Sequence, residues 1–230
     1  MAPWRMLTRM KLMHTAHVPA GDGPFPTIIA LHGWGANAHD LMGLAPILDG
    51  GRSLMLCPQG PIAFQAGQGA VGYGWFPLSS GGPPDPSEFQ AGIDAIAEFL
   101  DEALPKYPVD PRKTVLLGFS QGGVMAYDLA LRDPGRYAGL VALSSWLSSS
   151  LAQSIPANPD LEDLPTLVIH GTEDPMIPVD MARQSRDELA KLNVPATYRE
   201  FAMGHEINQD ALRELLGWLD QKVMNPVLLA

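Results

Sequence analysis

Residues 114–127 read Thr-Val-Leu-Leu-Gly-Phe-Ser-Gln-Gly-Gly-Val-Met-Ala-Tyr, and they carry the most informative local pattern in the chain. It opens with a short apolar run typical of a buried strand, and the residues after Ser120 follow a helical pattern. Gly118 and Gly122 flank Ser120 symmetrically. Small residues are needed at both positions because strand and helix approach each other closely at such a turn. The pattern therefore predicts a sharp strand–turn–helix junction that lifts the Ser120 hydroxyl clear of a sheet.

Strand-like runs recur on both sides of this junction, and each leads into a segment with a helical pattern. This alternation is typical of an α/β protein with a mostly parallel central sheet flanked by helices. Several of the runs are short, apolar and without alternation, as expected of strands that are covered on both faces. The predicted strands are Thr27–Leu31, Ser53–Cys57, Thr114–Leu117, Leu140–Leu143, Thr166–Ile169 and Ala196–Phe201, with an additional strand or hairpin within Leu7–Val18.

The spacing of apolar residues predicts amphipathic helices over 89–104 and 212–219. The segment 60–86 does not fit the alternation and is rich in glycine and proline. We interpret it as a long loop, and such loops are more often functional than inert in a compact domain.

Composition fits one domain, 1–230, with a substantial core. Hydrophobic residues make up 46% of the chain and charged residues 17%, and the net charge is −10. Such a charge repels phosphate backbones, so we expect no nucleic acid partner. The one cysteine, Cys57, excludes an intrachain disulfide and a cysteine-rich metal site. We expect it to face the core, the usual state of a free cysteine.

We find no apolar run of signal-peptide length near the start of the chain. No stretch approaches the roughly 20 apolar residues of a membrane span. We therefore expect a cytoplasmic protein without stable membrane insertion.

A serine hydroxyl on such a turn becomes a nucleophile only when a base removes its proton and a carboxylate orients that base. Hydrolases that carry the serine on a strand-to-helix turn have the chain order Ser, acid, His. Only His170 and His205 follow Ser120, and His170 precedes the best acid. We therefore predict His205, in the loop before the last helix, as the base.

The predicted acid is Asp174, in a tight turn that follows the strand-like run Thr166–Ile169. Glu173 and Asp180 are its rivals, and turn capping or solvation explains them better than it explains Asp174. The prolines at 175 and 178 stiffen the exit from the turn.

Attack on an ester places negative charge on the carbonyl oxygen, which backbone N–H groups must meet. One donor is predicted to be the residue after the nucleophile, Gln121. The other is assigned to Trp34, in the turn Gly33-Trp-Gly35 that follows an early strand. His32, just before this turn, is interpreted as a structural hydrogen-bonding residue.

The segment between Leu147 and Pro165 is too short for the cap domain that related hydrolases often insert there. The pocket is therefore expected to be open, shaped by loops and apolar, which suits an acyl chain. We assign substrate binding to Trp75, Phe76, Trp146 and Met176, with Trp34, Phe64 and Met203 as further lining residues.

The chain resembles the phospholipase/carboxylesterase branch of the α/β-hydrolases, which includes bacterial carboxylesterases and acyl-protein thioesterases. The resemblance runs from about residue 26 to 222. It rests on seven blocks: Leu31-His-Gly-Trp-Gly, Cys57-Pro-Gln-Gly-Pro, Gly74-Trp-Phe, Gly118-Phe-Ser-Gln-Gly-Gly, Ser144-Ser-Trp-Leu, His170-Gly-Thr-Glu-Asp-Pro-Met-Ile-Pro and Met203-Gly-His.

The resemblance implies the α/β-hydrolase fold and hydrolysis of short- to medium-chain carboxylic esters, with thioesters and lysophospholipids as alternative substrates. It implies no cofactor and no metal, and homodimers are common among such enzymes. One departure is Trp34, where thioesterase members usually carry leucine. The donor there is a backbone group, so the change of side chain affects only the pocket wall. The altered wall favours a bacterial esterase over a protein thioesterase.

Four other functional classes share part of this pattern of residues. An acyltransferase or perhydrolase would use the same triad with another acceptor, and the sequence does not separate it. A serine peptidase of this fold would need a cap or propeller to select peptides. A binding protein on this scaffold usually lacks a triad member, and none is missing. A metal-dependent hydrolase lacks its ligand cluster, since His32 and His39 alone do not form a site.

Overall fold

The computed structural model describes residues 11–67, 69–78 and 84–225. The strands are β1 His14–His17, β2 Phe25–Leu31, β3 Leu54–Pro58, β4 Ile62–Gln65, β5 Val71–Gly74, β6 Val109–Phe119, β7 Gly139–Leu143, β8 Thr166–Gly171 and β9 Ala196–Phe201. The α-helices are α1 Pro86–Ala103, α2 Gln121–Arg132, α3 Ser149–Ser154, α4 Val179–Lys191 and α5 Gln209–Leu219.

Seven strands form one sheet in the order β1-β3-β2-β6-β7-β8-β9. Strand β1 pairs antiparallel with β3, and all other neighbours in this sheet are parallel. The mostly parallel α/β sheet predicted from the alternating pattern is thus confirmed.

Successive residues of the central strands point into two separate apolar layers. One layer contains buried side chains of α1, α2 and α4, and the other contains those of α5 and of the segment that follows β2. Burial on both faces explains why these strands read as continuous apolar runs rather than alternating ones.

The predicted strands and helices are found with shifts of a few residues at their ends. The N-terminal strand predicted within Leu7–Val18 is β1, and residues 7–10 lie outside the described part of the chain. Between Leu147 and Pro165 the structure has only α3 and a short 3₁₀ turn, Pro159–Asp163, so the described residues there form no cap domain.

The interpretation of 60–86 as a long loop is wrong in part. Strands β4 and β5 pair as an antiparallel hairpin, in register from Ile62↔Gly74 to Gln65↔Val71. Strand β4 reads Ile-Ala-Phe-Gln, with Ile62 and Phe64 half-buried and the two residues between and after them exposed. Four residues with an alanine on the outer face carry too little alternation to be recognised.

The register of the central strands determines what meets at their carboxyl edge. Phe119 pairs with Leu143 across β6 and β7, and Leu143 pairs with Ile169 across β7 and β8. The next residues along each strand, Ser120, Ser144 and His170, therefore follow one another along this edge.

Candidate active site

Ser120 lies at the turn between β6 and α2 with φ 53° and ψ −122°. Such a backbone conformation costs a non-glycine residue about 1–3 kcal/mol and is concentrated at functional sites. It persists because its surroundings are fixed: the Ser120 N–H donates to the carbonyl of Leu143 at 2.9 Å, and the Gly123 N–H donates to the Ser120 carbonyl at 2.9 Å.

The two glycines that flank Ser120 have no room for a side chain. A Cβ at Gly118 would lie 2.3 Å from the carbonyl oxygen of Gly122, and one at Gly122 would lie 2.1 Å from that of Leu31. Close approach of strand and helix, inferred from the glycine spacing, is therefore what the structure shows.

His205 and Asp174 come together over the same edge of the sheet. The His205 Nδ1 lies 2.7 Å from Asp174 Oδ2. Because the carboxylate can only accept, Nδ1 carries the proton, which leaves Nε2 with a free electron pair in the neutral ring. The carboxylate is fully buried, whereas the His205 side chain is 19% exposed. His205 is thus the solvent-facing partner of the pair.

The other oxygen of Asp174 is also held. Its Oδ1 accepts hydrogen bonds from the backbone N–H of Met176 at 2.8 Å and of Ile177 at 2.9 Å. Burial raises the pKa of Asp174, but these bonds and the one from His205 outweigh burial and leave the pKa below its ordinary value. Asp174 is therefore a fixed carboxylate that is ionised at neutral pH.

The rival carboxylates lie elsewhere. Glu173 is exposed, and Asp180 is bonded to Arg183 at 2.9 Å with its side chain 85% exposed. Neither is bonded to His205 in the described residues.

His205 also lies beside the turn that carries Ser120. Its ring contacts that of Phe119, with centroids 4.9 Å apart. Among the described residues, the Ser120 hydroxyl makes no hydrogen bond to His205. Such bonds are often long in enzymes without substrate and tighten in the complex.

The predicted oxyanion donors are two backbone N–H groups near Ser120, those of Trp34 and Gln121. Within the described residues, neither the Trp34 N–H nor the Gln121 N–H donates to another backbone group. The turn that carries Trp34 packs directly on Ser120, since a Cβ at Gly33 would lie 3.2 Å from the Ser120 Cβ. The two segments that hold these donors are therefore neighbours.

The Trp34 ring, half-buried, rests on the β4–β5 hairpin. It stacks on Phe64 with ring centroids 4.1 Å apart and an angle of 13°, and a Cβ at Gly74 would collide with it at 2.2 Å. Backbone bonds join the turn to the hairpin, from Gly35 N–H to the Tyr73 carbonyl at 2.9 Å and from Tyr73 N–H to the Ala36 carbonyl at 3.0 Å. The hairpin thus forms one side of the site.

The assignment of Trp75 and Phe76 to substrate binding is wrong. Trp75 is 0% exposed and Phe76 2% exposed, and both belong to the core layer beneath the site. Met203 is likewise buried, in the opposite layer. Hydrogen bonds from Trp75 to the His32 carbonyl and the Gln121 side chain hold this segment inside, so the two aromatics are buried in the core instead of lining an open pocket. Trp146 is half-buried and Met176 is 72% exposed, so both remain available to a substrate.

His32 is a buried structural residue, and its two hydrogen bonds determine its tautomer. Its Nε2 accepts the Gly60 N–H at 3.0 Å, so Nδ1 carries the proton and donates to the Gly33 carbonyl at 2.8 Å. Burial lowers the pKa of His32, which keeps the ring neutral.

Sequence reasoning missed one neighbour of Asp174. His170 is fully buried, its Nε2 lies 2.8 Å from the Ile177 carbonyl, and the same nitrogen lies 3.4 Å from Asp174 Oδ2. Its position four residues before Asp174, at the end of a predicted strand, was the available signal.

The described residues include no group of three or more His, Cys, Asp or Glu side chains that could hold a metal ion. In the same part of the chain, no helix is both long and apolar enough to cross a bilayer.

We expect thiol reagents to leave the native enzyme active. Cys57 is 2% exposed, and burial raises the pKa of its thiol to about 12, so the reactive thiolate is scarce. Incubation with a chromogenic disulfide reagent should leave ester hydrolysis unchanged, and the denatured protein should release one equivalent of chromophore per chain. Rapid labelling of the native protein with loss of activity would contradict this placement of Cys57.

Known proteins share this architecture. The family model for phospholipases and carboxylesterases matches residues 14–223. Acyl-protein thioesterase 1 of Gibberella zeae is 27% identical over 225 residues, which cover 89% of this chain and 94% of that one. A relative from Arabidopsis thaliana, named a probable carboxylesterase SOBER1-like, is 24% identical over 174 residues, 73% of this chain and 65% of its own length.

Solved structures agree. Esterase PE8 superposes with a TM-score of 0.79 and 26% identity, covering 92% of this chain and 99% of that chain. The Bacillus cereus carboxylesterase has the same fold, with a TM-score of 0.78 at 22% identity over 92% of this chain and 94% of that one. The match to the family model spans nearly the whole chain and includes the strained serine turn and the His205–Asp174 pair. The chain therefore belongs to the phospholipase/carboxylesterase family of α/β-hydrolases and is a serine hydrolase of esters.

Proposed function

We propose that Ser120, His205 and Asp174 form the catalytic triad of a serine carboxylesterase that hydrolyses short- to medium-chain carboxylic esters. The observation that carries this proposal is the part-buried His205–Asp174 bond at 2.7 Å, located beside the strained turn that presents Ser120. Among the described residues, no other carboxylate is bonded to a histidine that is open to solvent.

The reaction follows from the protonation states. Neutral His205 takes the Ser120 proton on Nε2 as Oγ attacks the ester carbonyl. Asp174 stabilises the imidazolium that forms. The negative charge on the carbonyl oxygen is met by the free N–H groups of Trp34 and Gln121.

Collapse of this tetrahedral intermediate breaks the bond to the alkoxy oxygen, and His205 returns its proton to the departing alcohol. The acyl group remains on Ser120 Oγ. Water then repeats the sequence, with His205 accepting a proton from the water and returning it to Ser120, and the carboxylic acid leaves.

The substrate class is inferred from the open rim. Met176 projects into solvent two residues after Asp174, and Trp146 is half-buried after β7. We propose that these side chains contact the acyl chain. Because Trp75 and Phe76 are buried, neither can lengthen the apolar rim, which favours short and medium acyl groups. The net charge of −10 opposes a polyanionic substrate.

A second candidate is an acyl-protein thioesterase, favoured by the likeness to the Gibberella zeae protein of that name. The same nucleophile and oxyanion site would attack a thioester. Trp34 distinguishes the two candidates, since its ring stacks on Phe64 at a position where thioesterase members usually carry leucine.

A substrate panel tests the proposal. We expect kcat/KM for p-nitrophenyl esters to peak between butyrate and octanoate and to fall at least roughly tenfold at palmitate, because extra methylenes find no apolar wall. A palmitoyl thioester should be hydrolysed more slowly than the butyrate ester. Preference for the palmitoyl thioester would support the second candidate, and failure to hydrolyse any of these substrates would contradict both.

A further inference from the structure

Trp75 makes hydrogen bonds to two separate segments of the chain. Its indole Nε1–H donates to the His32 carbonyl at 2.8 Å, and its backbone N–H donates to the side-chain Oε1 of Gln121 at 2.9 Å. The whole residue is buried, so water competes for neither bond. Both bonds therefore hold their partners more firmly than surface bonds would.

The Gln121 side chain completes the connection. Its Nε2 donates to the Phe76 carbonyl at 2.7 Å, and the side chain is buried at 1% exposure. The amide thus clamps the backbone of residues 75 and 76 to the first turn of α2. That turn begins with the Gln121 N–H, one of the two free donors beside Ser120.

His32 connects Trp75 to the segment that carries the Trp34 N–H. It lies two residues before Trp34, and its ring ties the Gly33 carbonyl to the Gly60 N–H. The His32 and Trp75 rings are in contact, with centroids 5.1 Å apart. The β4–β5 hairpin holds the far end of the same turn, through the Gly35 N–H and the Ala36 carbonyl.

We propose that Trp75 is a positioning residue that locks the two donor segments of the oxyanion hole to each other. Through its indole it sets the turn that carries the Trp34 N–H, and through Gln121 it sets the start of α2. This inference rests on the proposed function, because it needs the two N–H groups to act on a reacting ester. An oxyanion hole depends on donors held in place before the reaction, so small displacements cost transition-state binding without costing substrate binding.

The test removes the indole N–H and keeps an aromatic ring. For Trp75→Phe we expect kcat for p-nitrophenyl butyrate to fall about 10–100-fold, less than the 10²–10³ lost when a donor itself is removed. KM should change less than about threefold, because ground-state binding is unaffected. The inhibition constant of an alkyl trifluoromethyl ketone, which forms a tetrahedral oxyanion on the serine, should rise in proportion to the loss in kcat.

Two further variants separate positioning from packing. Trp218→Phe removes a similar volume from a tryptophan that is 5% exposed in the opposite core layer. It should lower the melting temperature, yet leave kcat and inhibitor affinity unchanged. Gln121→Met removes the clamp and keeps the backbone donor. It should reproduce the Trp75→Phe kinetics, and it decides the matter alone if Trp75→Phe does not fold.

The proposal is overturned if the folded variants keep kcat and inhibitor affinity within about threefold of the parent, or if only KM changes. It is also overturned if Trp218→Phe lowers kcat as much as Trp75→Phe does, because loss of packing would then suffice. Failure of the proposed function looks different: the parent enzyme itself would then ignore the trifluoromethyl ketone, whatever stands at position 75.

Discussion

Replacing Ser120 by alanine should reduce ester hydrolysis by roughly a millionfold in kcat, the loss found when the serine of a serine-protease triad is removed. The acyl-enzyme cannot form without Oγ, and the oxyanion donors alone sustain only slow attack by water. We expect the fold to survive, because the hydroxyl makes no hydrogen bond within the described residues and alanine is only one oxygen smaller.

The measurement is steady-state hydrolysis of p-nitrophenyl butyrate by the purified variant, with the melting temperature compared with that of the parent. Labelling with a fluorophosphonate should disappear in the same variant. Ser144→Ala is the matched control, since Ser144 also has a positive φ, 46°, at the end of the adjacent strand, but is buried. If Ser120→Ala kept more than a small fraction of parental turnover, the nucleophile assignment would be wrong.

Replacing Asp174 by asparagine should cost about 10⁴ in kcat, the size of the effect in a triad where the imidazole takes the wrong tautomer. The structure shows how this tautomer arises. The N–H groups of Met176 and Ile177 both point at Oδ1, so they would keep the amide oxygen of the asparagine on their side. Its NH₂ would then face His205 Nδ1, which could accept that hydrogen bond only by giving up its proton.

In that state the proton of His205 lies on Nε2, and the ring can no longer accept one from Ser120. The loss should appear in kcat, with little change in KM or in melting temperature. Asp180→Asn and Glu173→Gln are the matched controls, because both carboxylates are solvent-exposed and lie within six residues of Asp174. We expect these variants to keep kcat within about threefold of the parent and stability within about 0.5 kcal/mol. A larger loss at either position than at Asp174 would reassign the acid.

Motifs that depend on local backbone constraints could be read from the sequence. Gly118 and Gly122 predict the turn around Ser120, because only glycine fits where strand and helix touch. The structure shows these close approaches. The His205–Asp174 pair could be predicted from chain order together with the position of each residue in a loop after a strand, since parallel strands bring such loops to one edge of the sheet. The unalternating apolar runs located the central strands within a few residues.

Contacts between distant segments could not be read in this way. Trp75 follows a glycine-rich stretch that admits many paths, so the sequence was compatible with an aromatic at the rim or in the core. Partners from other parts of the chain decide between the two: the His32 carbonyl accepts the indole N–H, and the Gln121 side chain accepts the backbone N–H of Trp75.

The sheet, the serine turn and the chain order of Ser120, Asp174 and His205 can be predicted from the sequence, because each is specified by neighbours in the chain or by the direction of parallel strands. Three features become visible only in the folded chain: which aromatics are buried, how the β4–β5 hairpin packs on Trp34, and how Trp75 connects the segments that carry the Trp34 and Gln121 N–H groups. These features depend on which side chains pack together and which acceptors bond to each buried N–H. The packing and the hydrogen bonds form only when distant segments come together in the folded chain.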